Sequence, residues 1–258
     1  MPGARERWAL FLDIDGTLLP IAATPWAVRV EPDLLVLLER LRSACDGALA
    51  LVSGRRLRDI DRLFDPLRLP AVGLHGWERR RADGGLVAAS AAAGTVDALR
   101  PSLADYVAAH PRLLLEDKGT SIAVHYRQAP GEGAALTRFV RGLAAAAPQL
   151  RVVAGKKLVE IMPRGADKGS AIAEFLAEPP FAGRRPVYAG DDTTDEDGFA
   201  VVNRLGGMSV KVAARQGGAA RFRLASPAAL HHWLAAVAAQ LEGESGAPAK
   251  ERAVSDAR

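Results

Sequence analysis

The sequence predicts an α/β protein with a doubly wound parallel-sheet core and a second, smaller α+β domain. Two observations predict the core: short apolar runs end in polar or glycine-rich turns, and helical patterns lie between them. A third observation predicts the smaller domain, because the strand–helix alternation stops in the middle third of the chain and an αββαββ order replaces it.

The apolar runs of the core predict buried parallel strands at residues 9–12, 48–52, 70–74, 187–189 and 209–212. The helical patterns between them cover residues 33–43, 57–64, 169–176 and 195–205. Ligands of such sheets bind beyond the carboxyl ends of the strands. Polar residues that follow directly on a predicted strand are therefore the first candidates for a functional site.

The smaller domain is predicted over residues 92–164, inserted between core segments 1–91 and 165–242. A helix at 96–109 precedes two alternating runs at 113–116 and 121–126, and a helix at 134–146 precedes runs at 151–153 and 158–162. We expect these runs to form an antiparallel sheet that caps the core. The last stretch, 243–258, is polar and rich in Gly, Pro and Ala without periodicity, which predicts a disordered tail.

Composition is that of an ordinary globular protein, with 34 basic and 30 acidic residues interspersed. The one basic run, Arg79-Arg80-Arg81, is interpreted as a solvated loop next to a turn, so no nucleic-acid partner is expected. The single Cys45 is expected to be a buried thiol. The apolar run before Asp13 is too short for a signal peptide or a membrane span. We expect a cytoplasmic monomer without a membrane partner.

Two carboxylates follow the first predicted strand, in Asp13-Ile14-Asp15-Gly16-Thr17. Alternation along an extended chain places them on the same side. One carboxylate can attack phosphorus to form an acyl phosphate, and the other can protonate the leaving oxygen and later take a proton from water. In isolation, such a motif fits an Asp-rich turn as well as it fits a catalytic pair of carboxylates. The polar elements downstream favour the catalytic interpretation.

Three further polar elements lie at predicted strand or helix ends. Ser53-Gly54-Arg55 follows the second strand and offers a hydroxyl and backbone amides to a phosphate oxygen. Lys168 precedes a helix, where an ammonium can neutralise a nucleophile and a transferring phosphoryl group. The stretch 191–197 holds five acids in seven positions, which favours a cation, and oxygen-only ligands indicate Mg²⁺.

Each of these elements also has a plain structural alternative. A serine is a common helix N-cap, and most lysines at helix starts are solvated. Acids at a helix N-terminus offset the helix dipole, which explains Glu196 and Asp197 better than it explains Asp191. None of the three is decisive alone.

Taken in chain order, the four elements resemble the four motifs of the haloacid dehalogenase superfamily of phosphatases. The middle third is similar to trehalose-6-phosphate phosphatases through four segments: Gly73-Leu74-His75-Gly76-x-Glu78, Leu115-Glu116-Asp117-Lys118-Gly119-x-Ser121, His125-Tyr126-Arg127 and Gly155-Lys156-Lys157-x-x-Glu160-Ile161. The likeness extends from about Leu10 to about Val212.

The resemblance implies a haloacid dehalogenase-like core with an inserted cap, and roles at the motif positions. Asp13 would be the nucleophile and Asp15 the acid/base, while Ser53 and Lys168 would hold the phosphoryl oxygens. Mg²⁺ would be held by Asp13, the backbone carbonyl of Asp15 and Asp191, with Asp195 as a supporting acid. The implied substrate-binding residues are Ser53, Gly54, Arg55, His75, Glu116, Lys118, Arg127, Lys156 and Glu160.

The implied activity is hydrolysis of trehalose 6-phosphate, a small phosphorylated disaccharide, through an aspartyl-phosphate. Alternatives are the same chemistry on a sucrose- or mannosylglycerate-type sugar phosphate, transfer of the phosphoryl group to an alcohol, and a non-catalytic sugar-phosphate sensor. The filled acid and base positions argue against the sensor. On the residues alone, the charged set in the middle third is equally compatible with a solvated sheet face.

Overall fold

The computed structural model describes residues 7–88, 94–212 and 217–245, which form two β-sheets and the helices packed on them. The strands are β1 (Trp8–Leu12), β2 (Leu49–Val52), β3 (Ala71–Gly73), β4 (Glu78–Arg80), β5 (Leu86–Ala88), β6 (Leu114–Asp117), β7 (Ile122–His125), β8 (Leu150–Gly155), β9 (Leu158–Pro163), β10 (Arg185–Gly190), β11 (Met208–Val212) and β12 (Phe222–Leu224). The α-helices are α1 (Pro32–Ala44), α2 (Leu57–Leu63), α3 (Arg100–Ala108), α4 (Gly133–Ala145), α5 (Lys168–Leu176), α6 (Glu196–Arg204) and α7 (Pro227–Ser245).

The larger sheet has the order β12-β11-β10-β1-β2-β3-β4-β5. The strands from β12 to β3 are parallel, and β4 and β5 add two antiparallel strands at one edge. Chain order reverses at β1, which lies between β2 and β10, and Leu12 is in register with both Leu51 and Ala189. The carboxyl ends of these three strands therefore meet, and they define the crevice where doubly wound sheets bind ligands.

The core of the larger sheet consists of apolar side chains that are buried on both faces, as expected for parallel strands flanked by helices. Every residue of β1 is buried. Phe11 packs between Phe175 and Phe181, with ring centroids 6.0 and 5.4 Å away. This packing fixes β1, and with it the position of the residues that follow the strand.

The smaller sheet is antiparallel, with the order β6-β7-β9-β8, and its chain order α3-β6-β7-α4-β8-β9 is the predicted αββαββ pattern. It has its own apolar cluster, in which Leu103 of α3 and Leu136 and Val140 of α4 pack with strand residues. The predicted domain limits stay predictions, and residues 89–93, at the first limit, lie outside the described residues.

The interpretation of Arg79-Arg80-Arg81 as a solvated loop is wrong for Arg79 and Arg80, whereas Arg81 is exposed beside a turn. Arg79 and Arg80 belong to β4 and are 4% and 7% exposed. Arg80 contacts Asp61 at 2.6 Å and donates to the carbonyl of Leu69, and Arg79 forms a two-bond pair with Glu178 at 3.0 Å. Paired guanidinium groups can be buried where solitary ones cannot, so a basic run does not by itself predict exposure. Strands β4, β5 and β12 were not predicted from the sequence.

The last described helix, α7, runs to Ser245 and so includes the first three residues of the predicted tail. Residues 246–258 lie outside the described residues. Among the helices that the structure describes, none combines the length and the apolar character needed to cross a bilayer. The expectation for Cys45 is confirmed: the thiol is buried, and burial raises its pKa to about 12.

Candidate active site

Three polar side chains emerge where neighbouring strands of the larger sheet end. Asp13 follows β1, Ser53 follows β2 and Asp191 follows β10. The backbone continues the ladder, because the Asp13 amide donates to the carbonyl of Ala189 at 2.9 Å and the Ser53 amide donates to that of Val72 at 2.9 Å. All three side chains are nearly buried, so the crevice places them in a poorly solvated site.

Asp13 is held by two donors. The Lys168 ammonium lies 2.7 Å from Oδ1, and the Thr17 hydroxyl donates to Oδ2 at 2.8 Å. Burial, followed by the charge of Asp195, raises the pKa of Asp13 well above its usual range, and Lys168 opposes this shift. A cation beside Asp13 would favour the ionised form that a nucleophile requires.

Asp195 organises the acidic loop after β10. Its carboxylate accepts from the Lys168 ammonium at 2.6 Å, from the Tyr188 hydroxyl, and from the amides of Asp191 and Asp192 at 2.7 and 2.8 Å. Burial alone would raise its pKa, but Lys168 and these hydrogen bonds outweigh it and lower the pKa. With both oxygens taken by donors, Asp195 is suited to the expected supporting role.

Asp191 lies against the turn that follows β1 and Asp13. Gly16 has φ of +88°, and a Cβ there would clash with the carboxylate of Asp191, so both backbone conformation and space require glycine. Burial, then the charge of Asp195, raises the pKa of Asp191 to about 7, against the opposing effect of its ion pair with the Lys156 ammonium.

These acids fit a divalent cation. Asp13, Asp191 and Asp195 each offer an oxygen, and these oxygens lie within 4.8 Å of one another in a buried cluster. One buried ammonium, that of Lys168, serves two of them. Hard carboxylate oxygens with residual negative charge are the ligands that Mg²⁺ prefers.

Asp15 lines the same cleft as Asp13 and forms a two-bond ion pair with Arg55. Arg55 Nε and Nη2 each lie 2.7 Å from an oxygen of Asp15, and Nη2 also donates to the carbonyl of Pro25 at 3.0 Å. The guanidinium therefore fixes the direction of the carboxylate. Asp15 is close in sequence to Asp13, but its charge is paired with Arg55, whereas the acids of the cluster pair with Lys156 and Lys168.

The smaller sheet closes the crevice with a buried polar network around Glu160. Its oxygens accept from Ser121 at 2.6 Å and from Lys118 at 3.2 Å, and His75 Nε2 lies 3.3 Å away. Burial opposes ionisation of Glu160, but Lys118 and His75 together lower its pKa. Lys118 also donates to the carbonyl of Gly54 at 3.0 Å, which links the smaller sheet to the loop after β2.

Two further members of the predicted substrate set have partners within the smaller sheet. Glu116 contacts His125 Nε2 at 2.8 Å, and Arg127 donates to the carbonyl of Lys156 at 2.8 Å. Burial, the largest effect, would raise the pKa of Glu116. The hydrogen bond with His125 and the charges of Lys118 and His125 together outweigh burial and lower this pKa. Glu116 is thus an ionised acceptor facing the crevice.

One cleft collects nearly all of the predicted site residues, with about 910 Å³ of empty space that includes the part open to solvent. Of that set, the larger-sheet side contributes Asp13, Asp15, Ser53, Gly54, Arg55, His75, Lys168 and Asp191, and the smaller-sheet side contributes Glu116, Lys118, Arg127, Lys156 and Glu160. Asp195 lies beneath the lining and is fully buried. A cleft of this size between two sheets, lined by these charged side chains, can hold a phosphorylated sugar.

A sequence model of the trehalose-phosphatase family matches residues 11–228, most of the chain. The chain belongs to the trehalose-phosphatase family. It is 43% identical over 243 residues to the trehalose-6-phosphate phosphatase of Escherichia coli, covering 93% of this chain and 90% of that one. It is 48% identical over 208 residues to a probable trehalose-phosphate phosphatase of Sinorhizobium fredii, covering 80% and 78%.

Solved structures carry the same fold as this trehalose-phosphatase family member. The C-terminal domain of the trehalose-6-phosphate phosphatase of C. albicans superposes with a TM-score of 0.83 at 22% identity, covering 91% of this chain and 93% of that one. A haloacid dehalogenase-like hydrolase of B. subtilis superposes with a TM-score of 0.61 at 14% identity, covering 88% and 98%. The predicted haloacid dehalogenase-like fold is confirmed.

The cleft of this trehalose-phosphatase family member also contains residues to which the sequence motifs assigned no role. The segment from Ile21 to Pro25, downstream of β1, supplies a largely apolar wall, and His125, Asp192 and Thr194 add polar groups. Apolar loop residues carry no chemical signature, so no signal in the sequence pointed to the wall. Asp192 and Thr194 stood within the acidic stretch, where spacing alone could not separate them from Asp191 and Asp195.

Proposed function

We propose that the protein is a Mg²⁺-dependent phosphatase that hydrolyses trehalose 6-phosphate to trehalose and phosphate, with Asp13 as the nucleophile. The observation that carries the proposal is the contact of Asp13 with Lys168 at 2.7 Å, at the base of a cleft whose opposite wall is polar. Family membership and the names of the Escherichia coli and Sinorhizobium fredii relatives support the reaction and the substrate.

In the proposed first step, a carboxylate oxygen of Asp13 attacks phosphorus, and the bond from phosphorus to the sugar oxygen breaks. Asp15 in its protonated form donates a proton to that leaving oxygen, so trehalose departs neutral. In the substrate-free protein, Arg55 pairs with the ionised Asp15 and fixes its direction. The product on the enzyme is an acyl phosphate of Asp13.

In the second step, water attacks the acyl phosphate, and Asp15, now ionised, accepts its proton. The bond from phosphorus to the Asp13 oxygen breaks and inorganic phosphate leaves. Lys168 and Ser53 are proposed to hold the phosphoryl oxygens, where donors in a buried site act most strongly.

The metal site is proposed to consist of the carboxylates of Asp13 and Asp191 and the backbone carbonyl of Asp15, with Asp195 supporting the loop. The buried acidic cluster around Asp13 supports this assignment. When bound there, Mg²⁺ supplies positive charge that offsets repulsion between the carboxylates and the substrate phosphate.

Selection of the disaccharide is proposed to come from the smaller-sheet wall. Glu116 offers an acceptor to sugar hydroxyls, and Lys118 and Arg127 offer donors. Glu160 already has partners for both oxygens, which fits a role in holding Lys118 and His75 in place. Every proposed reacting group comes from one chain, which supports the proposed monomer, and size-exclusion chromatography tests it. A cytoplasmic location without a nucleic-acid or membrane partner also stays our proposal.

Phosphate release from a panel of substrates tests the proposed function. Trehalose 6-phosphate, sucrose 6-phosphate and glucose 6-phosphate are compared with Mg²⁺ and with excess EDTA. We expect the highest kcat/KM for trehalose 6-phosphate and loss of activity in EDTA. A higher value for sucrose 6-phosphate would support the alternative sugar phosphate, release from none would support a sensor, and full activity in EDTA would contradict the metal.

A further inference from the structure

Lys156 lies at the tip of the hairpin between β8 and β9, and the structure fixes this tip from three sides. Arg127 Nη2 donates to the carbonyl of Lys156 at 2.8 Å. The amide of Lys156 donates to Asp192 Oδ2 at 3.1 Å, and the hydroxyl of Thr193 donates to the carbonyl of Ala154 at 2.9 Å. The hairpin tip is therefore bound to the acidic loop that carries Asp191.

The fixed tip directs the Lys156 side chain at the acidic cluster. Its ammonium forms an ion pair with Oδ2 of Asp191. The Asp191 side chain is 2% exposed and that of Lys156 is 36% exposed, so a buried carboxylate is neutralised by a cation that solvent can still reach. Lys168, the buried ammonium of the cluster, contacts Asp13 and Asp195 and leaves Asp191 to Lys156.

The formal charges of the cluster favour an exchange of cations. When all three carboxylates are ionised, they carry three negative charges, and Lys168 compensates one of them. A divalent cation would compensate the remaining two, so the positive charge of Lys156 would then be in excess at Asp191. Two cations cannot both neutralise one buried carboxylate without repelling each other.

We propose that Lys156 is an exchangeable cation: its ammonium holds Asp191 when no metal is bound, and metal binding releases it to an anionic ligand in the cleft. This inference rests on the proposed metal site. Lys156 lines the same cleft as Asp13, so the released charge stays near the phosphate position. The hairpin thus couples metal binding at the core to phosphate binding from the smaller-sheet side.

Isothermal titration of the full chain with Mg²⁺, without substrate, tests the exchange. We compare the wild type with Lys156→Met, which keeps the length of the side chain and removes its charge. The matched control is Lys157→Met in the same turn, because Lys157 points to the Tyr126 ring, 5.9 Å from its centroid. Breaking a partly buried ion pair before metal binding predicts on the order of tenfold tighter Mg²⁺ binding by Lys156→Met. The control should stay within about twofold of the wild type.

A second titration uses inorganic phosphate in the presence of Mg²⁺. Lys156→Met should bind phosphate on the order of tenfold more weakly, since a charged contact is lost, while Lys157→Met should be unchanged. Partial unfolding would weaken the binding of both ligands, so tighter Mg²⁺ binding together with weaker phosphate binding cannot come from it. Circular dichroism checks the fold. Unchanged or weaker Mg²⁺ binding by Lys156→Met would overturn the exchange alone. Absence of Mg²⁺ binding by every variant would overturn the proposed metal site and the exchange together.

Discussion

The ammonium of Lys168 lies 2.7 Å from Oδ1 of Asp13, although 155 residues separate the two in the chain. The contact arises because α5 begins at Lys168. Asp167 caps this helix by accepting from the Ser170 amide at 2.7 Å, and the Ser170 hydroxyl lies 3.1 Å from the Asp167 amide in return. Capping therefore sets Lys168 as the first helical residue, and its side chain reaches Asp13.

Substitution of Lys168 by Met should lower both activity and stability. Loss of a donor to the reacting group predicts a decrease in kcat on the order of 10²–10³-fold. Loss of the ammonium between Asp13 and Asp195, both buried, predicts a decrease of about 3 kcal/mol in the free energy of unfolding. Urea unfolding and steady-state kinetics measure the two effects.

The matched control for Lys168→Met is Lys211→Met. Lys211 pairs with Glu196 at 2.7 Å and its side chain is 13% exposed, but it does not line the cleft. Its loss should cost about 1 kcal/mol and leave kcat within about twofold. Equal effects of the two substitutions on kcat would show that Lys168 acts only through stability.

Glu116 and Asp117 are neighbours on β6, but Glu116 lines the cleft and Asp117 pairs with Arg100. Substitutions at the two positions therefore separate effects on substrate recognition from effects on folding. Glu116→Ala should lower kcat/KM for trehalose 6-phosphate on the order of ten- to a hundredfold, because a charged hydrogen bond to the sugar is lost. Hydrolysis of a small aryl phosphate, which needs only the core groups, should change little. Asp117→Ala, which removes an exposed pair with Arg100, should leave both substrates nearly unaffected. Parallel losses on both substrates with Glu116→Ala would argue for a structural role.

Gly16 and Gly84 both have positive φ, at +88° and +85°, but different surroundings. A Cβ at Gly16 would clash with Asp191, whereas a Cβ at Gly84 meets nothing within 4 Å. Each Gly→Ala substitution should destabilise the chain by about 1–2 kcal/mol through backbone strain. Only Gly16→Ala should also lower kcat, by at least tenfold, since Asp191 must move. Retention of wild-type kcat by Gly16→Ala would contradict the placement of Asp191 in the site.

The raised pKa of Asp191 predicts how the stability of the metal-free protein depends on pH. Burial, then Asp195, raises this pKa to about 7, against about 3.9 in the unfolded chain. The folded state then binds more protons between these values, so the stabilisation is present at low pH and is lost as pH rises through about 7.

In EDTA, the melting temperature should therefore fall between mildly acidic and mildly basic pH, and Asp191→Asn should reduce this slope. Added Mg²⁺ should also reduce it in the wild type, because a cation favours the ionised carboxylate. Differential scanning calorimetry across this pH range measures the slope. An identical slope in the wild type and Asp191→Asn, both in EDTA, would show that Asp191 does not cause the pH dependence of the melting temperature.

Strand ends and motif order allowed much of the fold and cleft to be predicted from the sequence. The apolar runs before Asp13, Ser53 and Asp191 end at the same edge of the sheet, and parallel topology then brings the three side chains together. Periodicity also predicted the αββαββ order of the smaller sheet.

The remaining features depend on tertiary partners that local patterns do not contain. The burial of Arg79 and Arg80 requires Glu178 and Asp61, which lie far away in sequence. The ion pair of Lys156 with Asp191 requires the docking of a hairpin on the acidic loop. The short strands β4, β5 and β12 have three residues each, too few for alternation to be recognised.

Phosphate release from trehalose 6-phosphate by the wild type and by Asp13→Asn, both with Mg²⁺, tests the central claim most directly. The amide has nearly the size of the carboxylate but cannot attack phosphorus, so the substitution removes the proposed nucleophile without opening a cavity. We expect rapid release by the wild type and a decrease in kcat on the order of 10³-fold or more in the variant, with an unchanged circular dichroism spectrum. Turnover near the wild-type rate, in a variant that mass spectrometry shows to retain Asn at position 13, would contradict the assignment of Asp13 as the nucleophile.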